Sequence, residues 1–116
     1  MALSRLATQF AAEIAMHDWS DAPFRADRAG HRRERDSNAY GTAQLDPVQT
    51  ECVKVNAMWV AAQVLAYNDP NFDVNEFAGA CGFREFTVSG RRWGGTFVTG
   101  LRGTSGGWME PGSPLP

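Results

Sequence analysis

The sequence predicts a small, mainly α-helical domain, and three observations carry that prediction. Two strong helix starts stand at Asp46 and Asp73, each followed by a helix former or capping partner at the right offset. Apolar residues recur at spacings of three and four from Val48 to Ala66. Strand-like runs are confined to two triplets in a glycine-rich final third, where eight of the 12 glycines fall between Gly90 and Gly112.

The first element is expected from Ser4 to about His17. Leu3, Leu6, Phe10 and Ile14 recur at helical spacing, Arg5, Gln9 and Glu13 fall elsewhere, and Ser4 can cap the start. Alanines at 7, 11, 12 and 15 favour helix and permit close packing on a neighbour. From Asp18 to Gln44 the chain turns polar and charged, punctuated by Pro23, Gly30 and Gly41, with Trp19, Phe24 and Tyr40 as its large anchors. So long a connection without structure is uncommon in a compact domain. A short helix within Arg25 to Asn38 is expected, or else a mobile loop pinned at Trp19 and Phe24.

The strongest element starts at Asp46. Asp46 caps, Pro47 occupies the first helical position where a missing N–H costs nothing, and Gln49 completes a capping box. Val48, Cys52, Val55, Trp59, Ala62 and Ala66 form a stripe that Val53, Val60, Val64 and Leu65 widen until the helix is apolar on most sides. Such a helix is usually central and buried. It should end near Tyr67, before Asn68-Asp69-Pro70. A shorter helix follows from Val74 to Cys81, capped by Asp73 with Glu76 at the third position. Phe72 can staple onto Phe77, and Gly82 can take the left-handed ending with Phe83 folded back. Phe86-Thr87-Val88 and Thr96-Phe97-Val98, parted by Ser89-Gly90, read as a weak hairpin on the helices. Residues 1–102 are therefore expected to form one helical domain, and 103–116 a disordered tail.

Composition narrows function by exclusion. The chain has 116 residues, 43% of them hydrophobic, with 11 basic and 13 acidic side chains and a net charge of −2. That balance gives no overall attraction to nucleic acid or an anionic membrane. No apolar run is long enough to span a bilayer, and Arg5, Gln9 and Glu13 interrupt any signal-peptide core, so a cytoplasmic location is expected. There Cys52 and Cys81 should be reduced thiols acting as small core hydrophobes.

Little in the sequence points to chemistry. His17 and His31 share no metal-binding spacing with each other or with the cysteines, so no metal and no cofactor are expected. Cys81 stands at a helix C-terminus, where the dipole opposes a thiolate, and nothing visible activates Cys52. A cysteine-dependent enzyme is the most distant of the readings. Two arginine clusters are the candidates for nucleic-acid contact. Arg25, Arg28, Arg32, Arg33 and Arg35 surround His31, and on a helix the first three would share a face; Asp27, Glu34 and Asp36 dilute the set. Arg91 and Arg92 precede Trp93, with Arg102 further on, and interleave cation, glycine and aromatic. Trp93, Trp108 and Met109 are large apolar residues in a segment unable to build its own core, which makes them candidate anchors for a protein partner.

Residues 70–82 carry a resemblance. Pro70-Asn71-Phe72-Asp73, then Phe77, then Ala80-Cys81-Gly82, resembles the ending of small actinobacterial, plasmid and phage proteins of pattern N-P-x-F-D-x-x-x-F-x-x-A-C-G, preceded by a helix like that from Pro47 to Tyr67. Asp69 intervenes here between Asn68 and Pro70. The resemblance covers about Asp46 to Gly82 and implies a mobile-element accessory protein, with no functional residues to carry over. The leading expectation is thus a non-enzymatic protein-interaction factor acting on a host protein, with a nucleic-acid-binding module as the alternative.

Overall fold

A computed structural model describes residues 3–36 and 43–114. The protein is mainly helical, as the sequence predicts. Its elements are α1 (Arg5–Met16), a single 3-10 turn at Trp19–Asp21, α2 (Pro47–Asn68), α3 (Val74–Ala80), α4 (Thr96–Thr99), β1 (Gly103–Thr104) and β2 (Gly107–Trp108).

The local signals produce the expected helix ends. Ser4 Oγ accepts the Ala7 N–H at 3.1 Å at the head of α1. At the head of α2, Asp46 accepts the Gln49 N–H at 2.8 Å while Gln49 Oε1 accepts the Asp46 N–H at 3.1 Å. Asp73 caps α3 by accepting from Asn75 and Glu76, and the Phe72 and Phe77 rings meet at 5.3 Å. Gly82 takes a φ of +101°, and two reversed bonds close the helix end: Gly82 N–H to Gly79 O at 3.0 Å and Phe83 N–H to Ala78 O at 3.1 Å. That double closure satisfies carbonyls the helix would otherwise strand.

The core lies where α1, α2 and α3 meet. Ala7, Ala11 and Ile14 of α1 are buried with Val55, Met58, Ala62, Leu65 and Ala66 of α2 and with Val74, Phe77 and Ala78 of α3. The face of α1 differs from the leucine–phenylalanine stripe of the sequence. Leu6 is 56% exposed and Phe10 is also exposed, while the two alanines turn inward and bring the helices close. Cys81 is fully buried as expected, but Cys52, in the second turn of α2, is exposed and is not a core hydrophobe.

The final third departs most from expectation. Thr96–Val98 is not a strand but part of α4, whose Phe97 is buried together with Leu101 one turn on. Packing of Phe97 between Trp93 (4.7 Å, stacked) and Phe83 (5.7 Å) overrides the β-branched propensity of that triplet. Phe86 instead bridges to Arg92 across a tight loop. The small antiparallel hairpin falls within 103–108, the start of the segment expected to be a disordered tail, with Gly103 opposite Trp108 and Thr104 opposite Gly107. Trp108 packs on the core from there.

A segment this rich in glycine holds its place through α2. Trp59 Nε1–H donates to Phe97 O at 3.0 Å, and a Cβ on Gly100 would overlap the Trp59 indole, so only glycine fits there. Gln63, buried, donates from Nε2 to the carbonyls of Arg102 and Met109 at 3.0 and 3.1 Å and accepts the Arg102 N–H at 2.7 Å. Both strand ends of the hairpin are thereby tied to one helix. Replacing Gln63 with Ala leaves the half-buried Arg102 N–H and Met109 carbonyl without this partner, while the Arg102 carbonyl keeps the Met109 N–H. The expected cost is roughly 1–3 kcal/mol in denaturant unfolding. Amides of residues 102–109 should also exchange faster, which hydrogen exchange with mass spectrometry would read.

Candidate functional site

Three features could carry function: a buried charged network, a groove beside the N-terminal half of α2, and the outer face of α2.

The network organises residues 18–36. Among the described residues no helix forms between 25 and 36; Asn38, Tyr40 and Gly41 lie outside the described residues. The segment is held instead by charge. His31 is 3% exposed, and its two ring nitrogens contact Asp21 Oδ2 at 2.8 Å (Nε2) and Asp36 Oδ2 at 2.6 Å (Nδ1). Two carboxylate acceptors require both nitrogens to donate, which makes the ring an imidazolium. The Arg25 guanidinium lies 3.1 and 3.2 Å from the two ring nitrogens, so it sits over the ring, and it pairs with Asp27 at 2.7 Å. Arg33 pairs with the other oxygen of Asp21. Asp18 accepts from Ser20 N–H (3.0 Å), Ser20 Oγ–H (2.6 Å) and Arg33 N–H (3.2 Å), and its own N–H reaches His31 O at 2.7 Å. Trp19 anchors the start through Nε1–H to Ile14 O at 3.0 Å. Phe24, expected as a second anchor, is exposed. Among the described residues no group of histidine, cysteine and acidic side chains is arranged to hold a metal ion.

Burial opposes the His31 charge, but the bonds to Asp21 and Asp36 and the nearby Asp27 outweigh it, and the imidazole is held above its ordinary 6.5. Burial likewise opposes the Asp18 charge, and the Ser20 and Arg33 donors outweigh it; Asp36 is lowered first by the Arg32 N–H and then by His31. Both carboxylates thus sit below 3.8. A ring this enclosed, with both nitrogens occupied, cannot serve a substrate. Its consequence is for stability. The His31 contribution is complete below 6.5 and lost as pH rises through its raised folded value; those of Asp18 and Asp36 are complete above 3.8 and lost as pH falls. A thermal melt series should therefore show Tm highest between 3.8 and 6.5, and His31→Gln should flatten the alkaline decline.

The groove has a volume of about 760 Å³ and runs between α2 and the loop after α3. Leu45, Pro47, Phe83, Phe86 and Val88 form its apolar walls, and Lys54 and Arg84 bring positive charge. Val88 N–H donates to both oxygens of Glu51, at 3.1 and 3.0 Å, which fixes the far wall to α2. Lys54, the only lysine of the chain, stands 5.0 Å from the Phe83 ring centroid. Burial lowers its ammonium, only partly offset by Cys81 and Glu51. The Cys81 thiol is pushed up to about 12 by burial. Iodoacetamide should therefore alkylate exposed Cys52 in the native protein and reach Cys81 only on unfolding, as peptide mass mapping would show.

The third feature is apolar. Val60, Val64 and Tyr67 recur one and two turns apart on α2, opposite the buried Val55, Met58 and Ala62. Val60 is 72% exposed, and Val64 and Tyr67 are also exposed. The helix is apolar on most sides, and the fold leaves this one open. Among the described residues no helix is long and apolar enough to cross a membrane.

The residues singled out by sequence fall elsewhere. Trp93 and Trp108 are half-buried against the core, and Met109 is half-buried with its carbonyl bonded to Gln63. Arg25 and Arg33 turn into the His31 network, Arg32 lies 3.8 Å from Glu34, and Arg92 pairs with Glu85 at 2.7 Å while covering the Phe86 ring. Arg28, Arg35 and Arg91 are exposed on non-helical chain, so they share no helix face. Sequence reasoning missed Gln63, Lys54 and the Val60–Tyr67 face. The last was legible as the excess of apolar residues on α2 over what one buried face needs.

No known protein family, curated protein or solved structure matches the chain.

Proposed function

We propose that this is a non-enzymatic interaction protein that docks another protein on the outer face of α2. The carrying observation is the exposed row Val60, Val64 and Tyr67 on a well-capped helix whose opposite side is fixed in the core. An apolar face on a rigid helix pairs readily with an apolar helix or groove, because little ordering cost remains on this side of the interface. Leu6 and Phe10 offer a second exposed pair on α1. The resemblance of residues 46–82 to small phage and plasmid proteins supports an accessory role directed at a host protein, encoded by a mobile element.

The arginine clusters support nucleic-acid binding less well. Arg25, Arg32, Arg33 and Arg92 each face a carboxylate, so much of their charge is already balanced.

The proposal is tested by affinity capture with the tagged chain beside a Val60→Asp/Val64→Asp double variant. Both sites are exposed, so stability should change by less than about 1 kcal/mol. A protein retained by the wild type and lost at least tenfold by the folded variant is the expected result. Equal retention by both, no specific partner, or only salt-labile nucleic acid would contradict it.

A further inference from the structure

The groove holds a feature that the outer face of α2 does not explain. Lys54 is half-buried, lines the groove, and has no carboxylate within ion-pair reach among the described residues. Its ammonium rests against the Phe83 ring, a weak substitute for a counter-ion. Glu51 on the same helix also lines the groove and its charge acts on Lys54, but it lies beyond ion-pair distance, with both oxygens turned to the Val88 N–H. Arg84 lines the same groove and likewise makes no ion pair among the described residues. Half-buried cations are ordinarily paired, and Lys54 lines a cavity in which a partner could sit, with the exposed Arg84 on the same lining.

The walls specify the rest of that partner. Leu45, Pro47, Phe83, Phe86 and Val88 offer an apolar surface, and Phe86 and Val88 are exposed to solvent when nothing covers them. The volume of about 760 Å³ falls within the range of sites for small organic molecules. Apolar walls around a half-buried ammonium that has no ion pair fit a ligand with an apolar body and one anionic head. We infer that the groove between α2 and the loop 83–88 binds a small amphipathic carboxylate, its head paired with Lys54 and Arg84 and its chain laid along Phe83, Phe86 and Val88.

The inference does not depend on the α2 outer face, and either can fail alone. Decanoate serves as the probe, titrated below its micelle concentration into the whole protein by isothermal calorimetry, with decanol as the uncharged comparison. Saturable binding of one decanoate per chain is expected, at least tenfold tighter than decanol and weakened by added salt. Lys54→Met should weaken decanoate at least tenfold and leave decanol nearly unchanged. Val88→Asp, at an exposed position that leaves the core alone, should repel decanoate to a similar degree, which guards against a misfolded Lys54 variant. Absence of saturable binding, equal affinity for decanol, or decanoate binding unchanged in the folded variants would overturn the assignment.

Discussion

Three side chains of α2, Glu51, Trp59 and Gln63, hold the C-terminal segment of this molecule in place. Residues 84–114 contain short elements and much glycine, and they contribute only Phe97 and Leu101 to the buried apolar core. Chain of that kind loses more entropy on ordering than its few apolar contacts return. Its backbone polar groups are therefore bonded to a rigid element: Val88 N–H to Glu51, Phe97 O to Trp59, and Arg102 and Met109 to Gln63. The scheme works only if α2 itself does not move. Its capping box at Asp46 and the packing of Met58 and Ala62 against α1 and α3 supply that rigidity.

The segment before α2 solves the same problem with charge. Residues 18–36 have few apolar side chains to bury, so the cations His31, Arg25 and Arg33 and the four carboxylates Asp18, Asp21, Asp27 and Asp36 do the ordering. Several of these side chains also bond to the backbone: Asp18 accepts from the Ser20 and Arg33 N–H, Asp36 accepts from the Arg32 N–H, and Arg33 donates to Ala43 O. Leu45 N–H then reaches Ser20 O at 2.9 Å, which joins this hub to the start of α2. Removing one member of such a network leaves the others buried and mismatched, so it behaves as a unit.

How much of this the sequence discloses depends on range. Helix starts and stops are local: Asp46 with Gln49, Asp73 with Phe72 and Phe77, and the Gly82–Phe83 ending are all fixed within a few residues, and all appear as read. Which face turns inward is not local. On α1 the larger Leu6 and Phe10 outrank Ala7 and Ala11 on any hydrophobicity scale, yet close approach to α2 and α3 favours the alanines. Thr96–Val98 reads as strand by propensity and becomes helix because Phe97 has Trp93 and Phe83 to stack on. The arginines around His31 read as a surface patch, because nothing in their spacing shows that Asp21, ten residues away, will meet His31 and Arg33. Gln63 resembles any polar residue on a helix until the carbonyls it serves arrive from 39 and 46 positions later. The candidate sites, the groove and the Val60–Tyr67 face, arise from that same long-range packing.

The account rests on α2 having one covered and one uncovered apolar face. Hydroxyl-radical footprinting of the purified chain at low concentration, read residue by residue by mass spectrometry, examines both faces at once. Tyr67 and Val64 should be oxidised readily while Met58 and Phe77 stay protected, although methionine is intrinsically the more easily oxidised. Tyr67 protected like Phe77, or Met58 oxidised as fast as in the unfolded chain, would contradict the arrangement on which the proposed interaction depends.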